Sequence, residues 1–291
     1  MALPKLFSRK QSKGFKSVLV KDLDQHLDVA TDRFPALARR LARQFARHRA
    51  LLDLADYRLS RRLEAAETAD SVGMARSNAA TYTLEVRRLV PMDREEEFKM
   101  ARRHEFMQRV LVEFLTQRGP AGDGLAEDAV WQLLRQPAAE ILAAVPARAP
   151  RGVDAEWLAA WIGTFEELRN LYVEGALHIV LGTVHRYRGL GVDTADLIQE
   201  GNASLFQAID GFDWRRDVRF RTYAQFWVQQ AVLKMLYNHA RTVRVPIWVQ
   251  KVLGKIRRVQ EAGRRSSRSR LAAAIASTPK PSTVRLAHTV P

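Results

Sequence analysis

Tyr223, Phe226, Trp227 and Gln230 recur at i, i+3, i+4 and i+7, the spacing that puts three rings and a carboxamide on one face of an α-helix. Arg219, Arg221, Lys234, Arg241 and Arg244 surround them with positive charge, and no acidic residue occurs between Asp217 and Glu261. The chemistry open to such a set is recognition of a polyanion with flat, stackable groups. Stacking an unpaired base on a ring is worth roughly 1–3 kcal/mol, and each cation that meets a phosphate releases counterions. Gln229 and Gln230 add carboxamides able to pair with an adenine edge. A ring stripe at helical spacing ordinarily packs a core. Here Val228, Ala231, Val232, Met235 and Leu236 form a second apolar stripe that can do the packing, so the rings are expected to be available to a ligand.

Covalent chemistry has few candidates. The chain has no cysteine, which removes thiol nucleophiles, disulfides and Cys-based zinc sites. None of its seven histidines stands in an HExxH context, and neither a GxxxxGK nor a GxGxxG phosphate loop occurs. His178 and His185 lie seven apart on one helical face without a third ligand nearby. Asp193, Asp196 and Glu200 could face a divalent ion from one helix turn, but oxygen sites for such ions usually gather ligands from a loop. A solvated or partner-facing acidic face is the better reading. No catalytic residue, metal or cofactor is expected, and the chain is not read as an enzyme.

Two helices must position these groups. Asp193 or Thr194 can cap the first, Asp196 sits in its opening turn where the helix dipole favours a carboxylate, and Gly211 ends it. Leu197, Ile198, Leu205 and Ile209 make its buried stripe, leaving Asp196, Gln199, Glu200 and Asn202 largely on the other side. The second helix runs from about Thr222 to His239, uninterrupted by Gly or Pro.

The blocks DLIQEGN, AIDGFDWRRDVRFRTYAQFWVQQAV and ARTVRVP, in that order and spacing, resemble conserved region two of bacterial RNA polymerase sigma factors of the sigma-seventy family. The resemblance spans about Leu171 to Pro246, about a quarter of the chain. It implies an all-α fold built on a region-two helical bundle. It further implies that Asp196, Gln199, Glu200 and Asn202 dock on a coiled coil of the largest catalytic subunit of core RNA polymerase. Phe212, Arg216, Phe220, Thr222, Tyr223, Phe226, Trp227 and Gln230 would contact the promoter minus-ten element as it melts. Leu233 stands where many members place a polar residue, and Lys251 where many carry an acidic residue that reads an extended minus-ten base; Lys251 more readily meets a phosphate. Ala176 replaces a usual asparagine. The segment YTLEVRRLVPMDREEEFKMARRHEF resembles the family's region one-two, with Met92 and Asp93 opening a helix whose charged first turn is Arg94 to Glu97. The implied function is that of a sigma factor that binds core polymerase, recognises and melts the minus-ten element and starts transcription. Its partners would be core polymerase and promoter DNA, especially as a single strand, with room for an anti-sigma factor.

With 47 Lys and Arg against 32 Asp and Glu in 291 residues, the formal net charge is +15, which favours polyanionic partners without choosing among them. No run approaches the roughly 20 apolar residues of a membrane span and the basic N-terminus lacks a signal-peptide core, so a cytoplasmic protein without a membrane partner is expected. Residues 1–31 read as a flexible basic lead. Residues 32–80 read as basic amphipathic helices, on Phe34, Leu37, Leu41, Phe45 and then Leu51, Leu54, Leu59, Leu63. Residues 81–106 read as the region one-two-like helices and 107–164 as a variable helical insertion, with Trp131, Trp157 and Trp161 in the core. Residues 165–246 are the region-two core, 247–262 the start of region three, and 263–291, rich in Arg, Ser, Ala and Pro, a disordered tail. With the rest of region three and a C-terminal helix-turn-helix missing, the end of the sequence reads as truncated or frameshifted. Two other functions fit the same residues: a sigma fragment that docks on polymerase or binds single strands without initiating, and a basic helical module that binds nucleic acid by charge alone.

Overall fold

The structure is a computed structural model and describes residues 6–7, 9–10, 14–28, 32–55, 57, 78–117, 125–148 and 153–240, with single residues between 249 and 264. The chain divides into two compact units, Met1–Leu236 and Tyr237–Pro291. The first is a helical bundle with a small sheet: β1 Arg9–Lys10, β2 Lys16–Leu19, α1 Val20–Leu27, α2 Phe34–Arg47, β3 Ala50–Asp53, α3 Asn78–Arg87, α4 Arg94–Leu115, α5 Glu127–Leu133, α6 Ala138–Arg148, α7 Ala155–Val184, α8 Thr194–Gly211 and α9 Phe220–His239. In the second unit, helical backbone is described for the last turn of α9 and at scattered positions from 249 to 264. No helix among the described residues is long and apolar enough to cross a membrane.

Capping carboxylates set where the central helices begin. The Asp93 side chain accepts from the Glu96 backbone N–H at 2.7 Å, Asp154 from Glu156 at 3.0 Å and Asp193 from Ala195 at 3.3 Å, each satisfying a donor that the helix cannot. The core lies where α2, α4 and α7 meet. Phe45, Phe106 and Trp161 pack edge to face with centroids 5.3 to 6.1 Å apart, the arrangement favoured by ring quadrupoles. Trp157 and Trp161 are wholly buried, and their indole N–H groups donate to the carbonyls of Ala50 and Met107 at 2.8 and 3.4 Å. Trp131 is only half-buried. The helix expected to open the region-two core near Thr164 starts earlier, at Ala155, capped by Asp154. Along it α8 packs closely: a Cβ on Gly201 would stand 2.6 Å from Val180 Cγ1, so only glycine allows this approach.

Two expectations for the N-terminal segments are corrected. Residues 1–31 are not merely a flexible lead, because β2 pairs in parallel with β3, Lys16 opposite Ala50 through Leu19 opposite Asp53. Leu6, Phe7, Phe15, Val18, Val20, Leu23 and Leu27 are buried. Along KSVL, Ser17 and Val18 are buried between half-buried Lys16 and Leu19, and the strand gives way to the i, i+3, i+7 burial of α1, so the segment buries enough apolar surface to offset its ordering. Leu51 belongs to a strand rather than a helix: Ala50–Asp53 is a short apolar run covered on both faces, which suits an interior strand. Leu59 and Leu63 lie outside the described residues, as does the tail beyond residue 264.

Candidate nucleic-acid and polymerase interface

The outward face of α8 and the turn leading into α9 carry the candidate site. On α8, Leu197, Ile198, Gly201, Ser204, Leu205, Ala208 and Ile209 face the bundle. Asp196 and Gln199 are exposed and Glu200 is half-buried, so an acidic, amide-bearing surface remains for a partner. Asn202, expected on that surface, is engaged within the fold: Tyr82 of α3 donates its hydroxyl to Asn202 Oδ1 at 3.1 Å, and Asn202 Nδ2 donates back to the Tyr82 oxygen at 3.0 Å. Burial lifts the Tyr82 hydroxyl above its ordinary range while the Asn202 contact pulls the other way. No feature of its surrounding sequence singles out Tyr82.

After α8 the chain turns through a short 3-10 segment, Trp214–Arg216, and then through Asp217 in the left-handed region at φ 52°. Two carboxylates of α4 hold this turn. Glu105 accepts from the Trp214 indole N–H and from Arg215, both at 2.7 Å. Burial raises the Glu105 carboxyl, but hydrogen bonds from Arg215, Arg109 and Trp214 more than offset this and hold it below the usual carboxylate range. Glu97 accepts from Arg219 at 2.9 Å, and the Arg219 carbonyl accepts from the backbone N–H groups of Thr222 and Tyr223 at 3.1 and 3.3 Å to open α9. The DREEE stretch read as a charged helix start thus also anchors the turn and the ring-bearing helix.

On α9 the buried side is Phe220, Ala224, Val228, Val232 and Leu236, one residue every fourth position. The opposite side presents the rings. Phe212 and Tyr223 have centroids 5.6 Å apart, Tyr223 and Trp227 6.2 Å, and the Tyr223 hydroxyl donates to the Gly211 carbonyl at 3.1 Å. Phe226 is 62% exposed. Thr222, Gln230, Arg221, Arg216 and Lys234 are exposed and Leu233 is half-buried. Gln229 donates to the Tyr187 hydroxyl at 3.2 Å, which leaves Gln230 as the outward carboxamide.

Phe220 differs from its expected place among the contacts. It is 1% exposed, against Tyr172 at 4.7 Å and Phe212 at 5.2 Å, so it supports the row from beneath. Arg219 is half-exposed and paired with Glu97. Arg241, Arg244 and Lys251 lie outside the described residues.

The arrangement is one outward row of rings edged by cations, next to an acidic helix face. Residues 173–242, which hold both, match the family model for Sigma-70 region 2. By that match the segment is of the sigma-70 region 2 type. Over 136 residues it is 38% identical to the RNA polymerase principal sigma factor HrdD of Streptomyces coelicolor, a stretch covering 44% of this chain and 41% of that protein. The proteins of the same name from Streptomyces griseus and Streptomyces viridifaciens are 36% and 37% identical over 134 and 130 residues, covering 44% and 43% of this chain. The chain thus spans about two fifths of the length of these relatives, 41%, 40% and 39%. The region matched by the family model takes in the C-terminal part of α7 from Val173, then α8, the turn and α9, the elements that carry the site.

Proposed function

We propose that this chain is a sigma factor of the sigma-70 type that binds core RNA polymerase through the exposed face of α8 and uses the ring row of α9 to capture the minus-ten element as a single strand, so that transcription starts there. The observation that carries the reading is the division of labour on α9. A complete apolar stripe packs the bundle, while Tyr223, Trp227 and above all Phe226 remain on the other side with Gln230 and Arg221. Exposed rings cost free energy in water unless something covers them, and unstacked bases are flat, apolar-faced partners that also satisfy the neighbouring cations. The strand enters from a melted duplex, so the rings act by holding bases that have left the stack; unstacking costs a few kcal/mol per step, comparable with what one or two stacking contacts return.

The test uses the full chain with core polymerase on a duplex promoter, with permanganate reactivity of thymines reporting melting. Phe226→Ala and Trp227→Ala should remove most of the reactivity while co-purification with core polymerase is unchanged. Wild-type reactivity in both variants would overturn the reading and leave binding by charge alone.

A further inference from the structure

Beside the ring row lies a cleft of about 510 Å³ that none of the expected contacts explains. Its walls come from four places in the chain. Phe206, Gln207 and Asp210 line it from α8, Arg169 from α7, Trp227 from α9, and Arg135 from the turn between α5 and α6. That turn belongs to the segment read from sequence as a variable insertion. Trp227 therefore belongs both to the ring row and to the cleft, so a strand lying along the row runs into it.

The charges within the cleft are not equivalent. Asp210 accepts from Arg169 Nη2 at 2.5 Å, and the Arg169 guanidinium lies 5.1 Å from the centre of the Phe206 ring. That carboxylate and that cation offset each other, and both are largely buried. Arg135 is exposed, and among the described residues no carboxylate forms an ion pair with it. Its backbone is fixed instead: its N–H donates to Gln132 and its carbonyl lies 3.5 Å from Arg169 Nη2. Two guanidiniums against one carboxylate leave one positive charge, at the mouth, beside one indole and one carboxamide.

We propose that this cleft takes one further nucleotide of the strand engaged by the ring row, its base against Trp227 and its phosphate on Arg135. The proposal rests on the strand-capture reading above and makes the insertion part of the nucleic-acid surface. A phosphate suits Arg135, whose charge acts on Asp210 but which forms no ion pair among the described residues. A base suits the Trp227 wall, with the exposed Gln207 carboxamide within the same cleft to meet a base edge.

The experiment measures anisotropy of a fluorescein-labelled single-stranded oligodeoxynucleotide of mixed sequence, about twelve nucleotides long, titrated with the full chain at several salt concentrations. Arg135→Gln should weaken binding about fivefold and make the log–log salt slope shallower by about 0.7, one phosphate contact to a single strand. Arg135→Lys should restore the slope. Phe226→Ala should weaken binding with the slope unchanged. If Arg135→Gln keeps wild-type affinity and slope while Phe226→Ala weakens binding, the cleft assignment fails and strand capture stands. If Phe226→Ala has no effect, or the wild type does not bind, both fail. Arg135 is exposed, so circular dichroism should show an unchanged fold in its variants.

Discussion

Arg219 reaches across from the start of α9 to Glu97 of α4 and places its guanidinium 2.9 Å from a carboxylate that is 3% exposed as a residue. The pair fixes the first turn of the ring-bearing helix to a segment more than a hundred residues earlier. One arginine of the cationic surround is thus structural in part, and Arg216 lies 3.6 Å from Asp213; among the described residues, the exposed cations of the row outside any ion pair are Arg221 and Lys234.

Removing Arg219 should therefore cost stability, unlike removing its neighbours. Arg219→Ala leaves the Glu97 carboxylate buried and unpaired. A fully buried pair broken this way costs about 3–5 kcal/mol, and because Arg219 is half-exposed the expected loss is about 2 kcal/mol. Arg221→Ala, on an exposed side chain, should stay within about 0.5 kcal/mol. Denaturant unfolding of both variants measures this, and adding Glu97→Gln to Arg219→Ala should recover part of the loss. Equal stability of the two single variants would show the pair to be idle.

The two phenylalanines of α9 should separate folding from binding. Phe220→Ala empties a wholly buried site and should destabilise by about 3–5 kcal/mol. Phe226→Ala should change stability by less than about 0.5 kcal/mol yet weaken single-strand binding by roughly 1–3 kcal/mol. Unfolding curves alongside strand titrations decide it; a destabilised Phe226→Ala with intact binding would return the whole row to the core.

Docking should depend on the acidic face of α8. Asp196→Arg reverses a charge on an exposed residue in the first turn, and like charges set against each other at an interface cost several kcal/mol. Co-purification with core polymerase should be lost with helicity unchanged. Wild-type yield would remove α8 from the interface. Tyr82→Phe offers a second readout, because it frees Asn202 without changing charge.

Most of α8 and α9 was legible because period and punctuation agreed there: an aspartate cap at Asp193, a glycine at Gly211 and two distinct stripes. Phe220 was misplaced because burial depends on what approaches from other helices, here Tyr172 of α7, and a ring's local sequence does not report that. The sheet was hidden by charge: five basic residues stand among the first sixteen, KSVL shows no apolar alternation, and its partner ALLD is too short a run to separate helix from strand. Glu97, Glu105 and Tyr82 fall within the segment that resembles region one-two, but nothing in that resemblance assigned them to the site. Each becomes part of the site only through a contact spanning more than a hundred residues, which no local pattern encodes.

Acid should act on the fold through His104 and Asp210. His104 Nε2 and Asp210 Oδ1 lie 3.7 Å apart, both buried and neither hydrogen-bonded. Burial, then the charge of Arg169, hold the imidazole at about 3 instead of 6.5. Burial pushes the Asp210 carboxyl from 3.8 up to about 6, against the pull of Arg169 and Arg135. The two groups drive stability in opposite directions. Between about pH 3 and 6.5 the unfolded chain protonates His104 and the folded chain does not, so stability falls as pH falls. Between about pH 4 and 6 the folded chain keeps a proton on Asp210 that the unfolded chain releases, so stability from this group rises as pH falls. Where the windows overlap the slopes offset, at about 1.4 kcal/mol per pH unit for each proton. Relative to wild type, Asp210→Asn should lose Tm progressively from pH 6 to 4, because the histidine then acts unopposed. His104→Phe, which keeps a ring against Phe165, should gain Tm over the same range. Thermal unfolding of the three proteins at pH 4, 5, 6 and 7 decides the matter, and parallel pH profiles would show that neither group titrates as its burial requires.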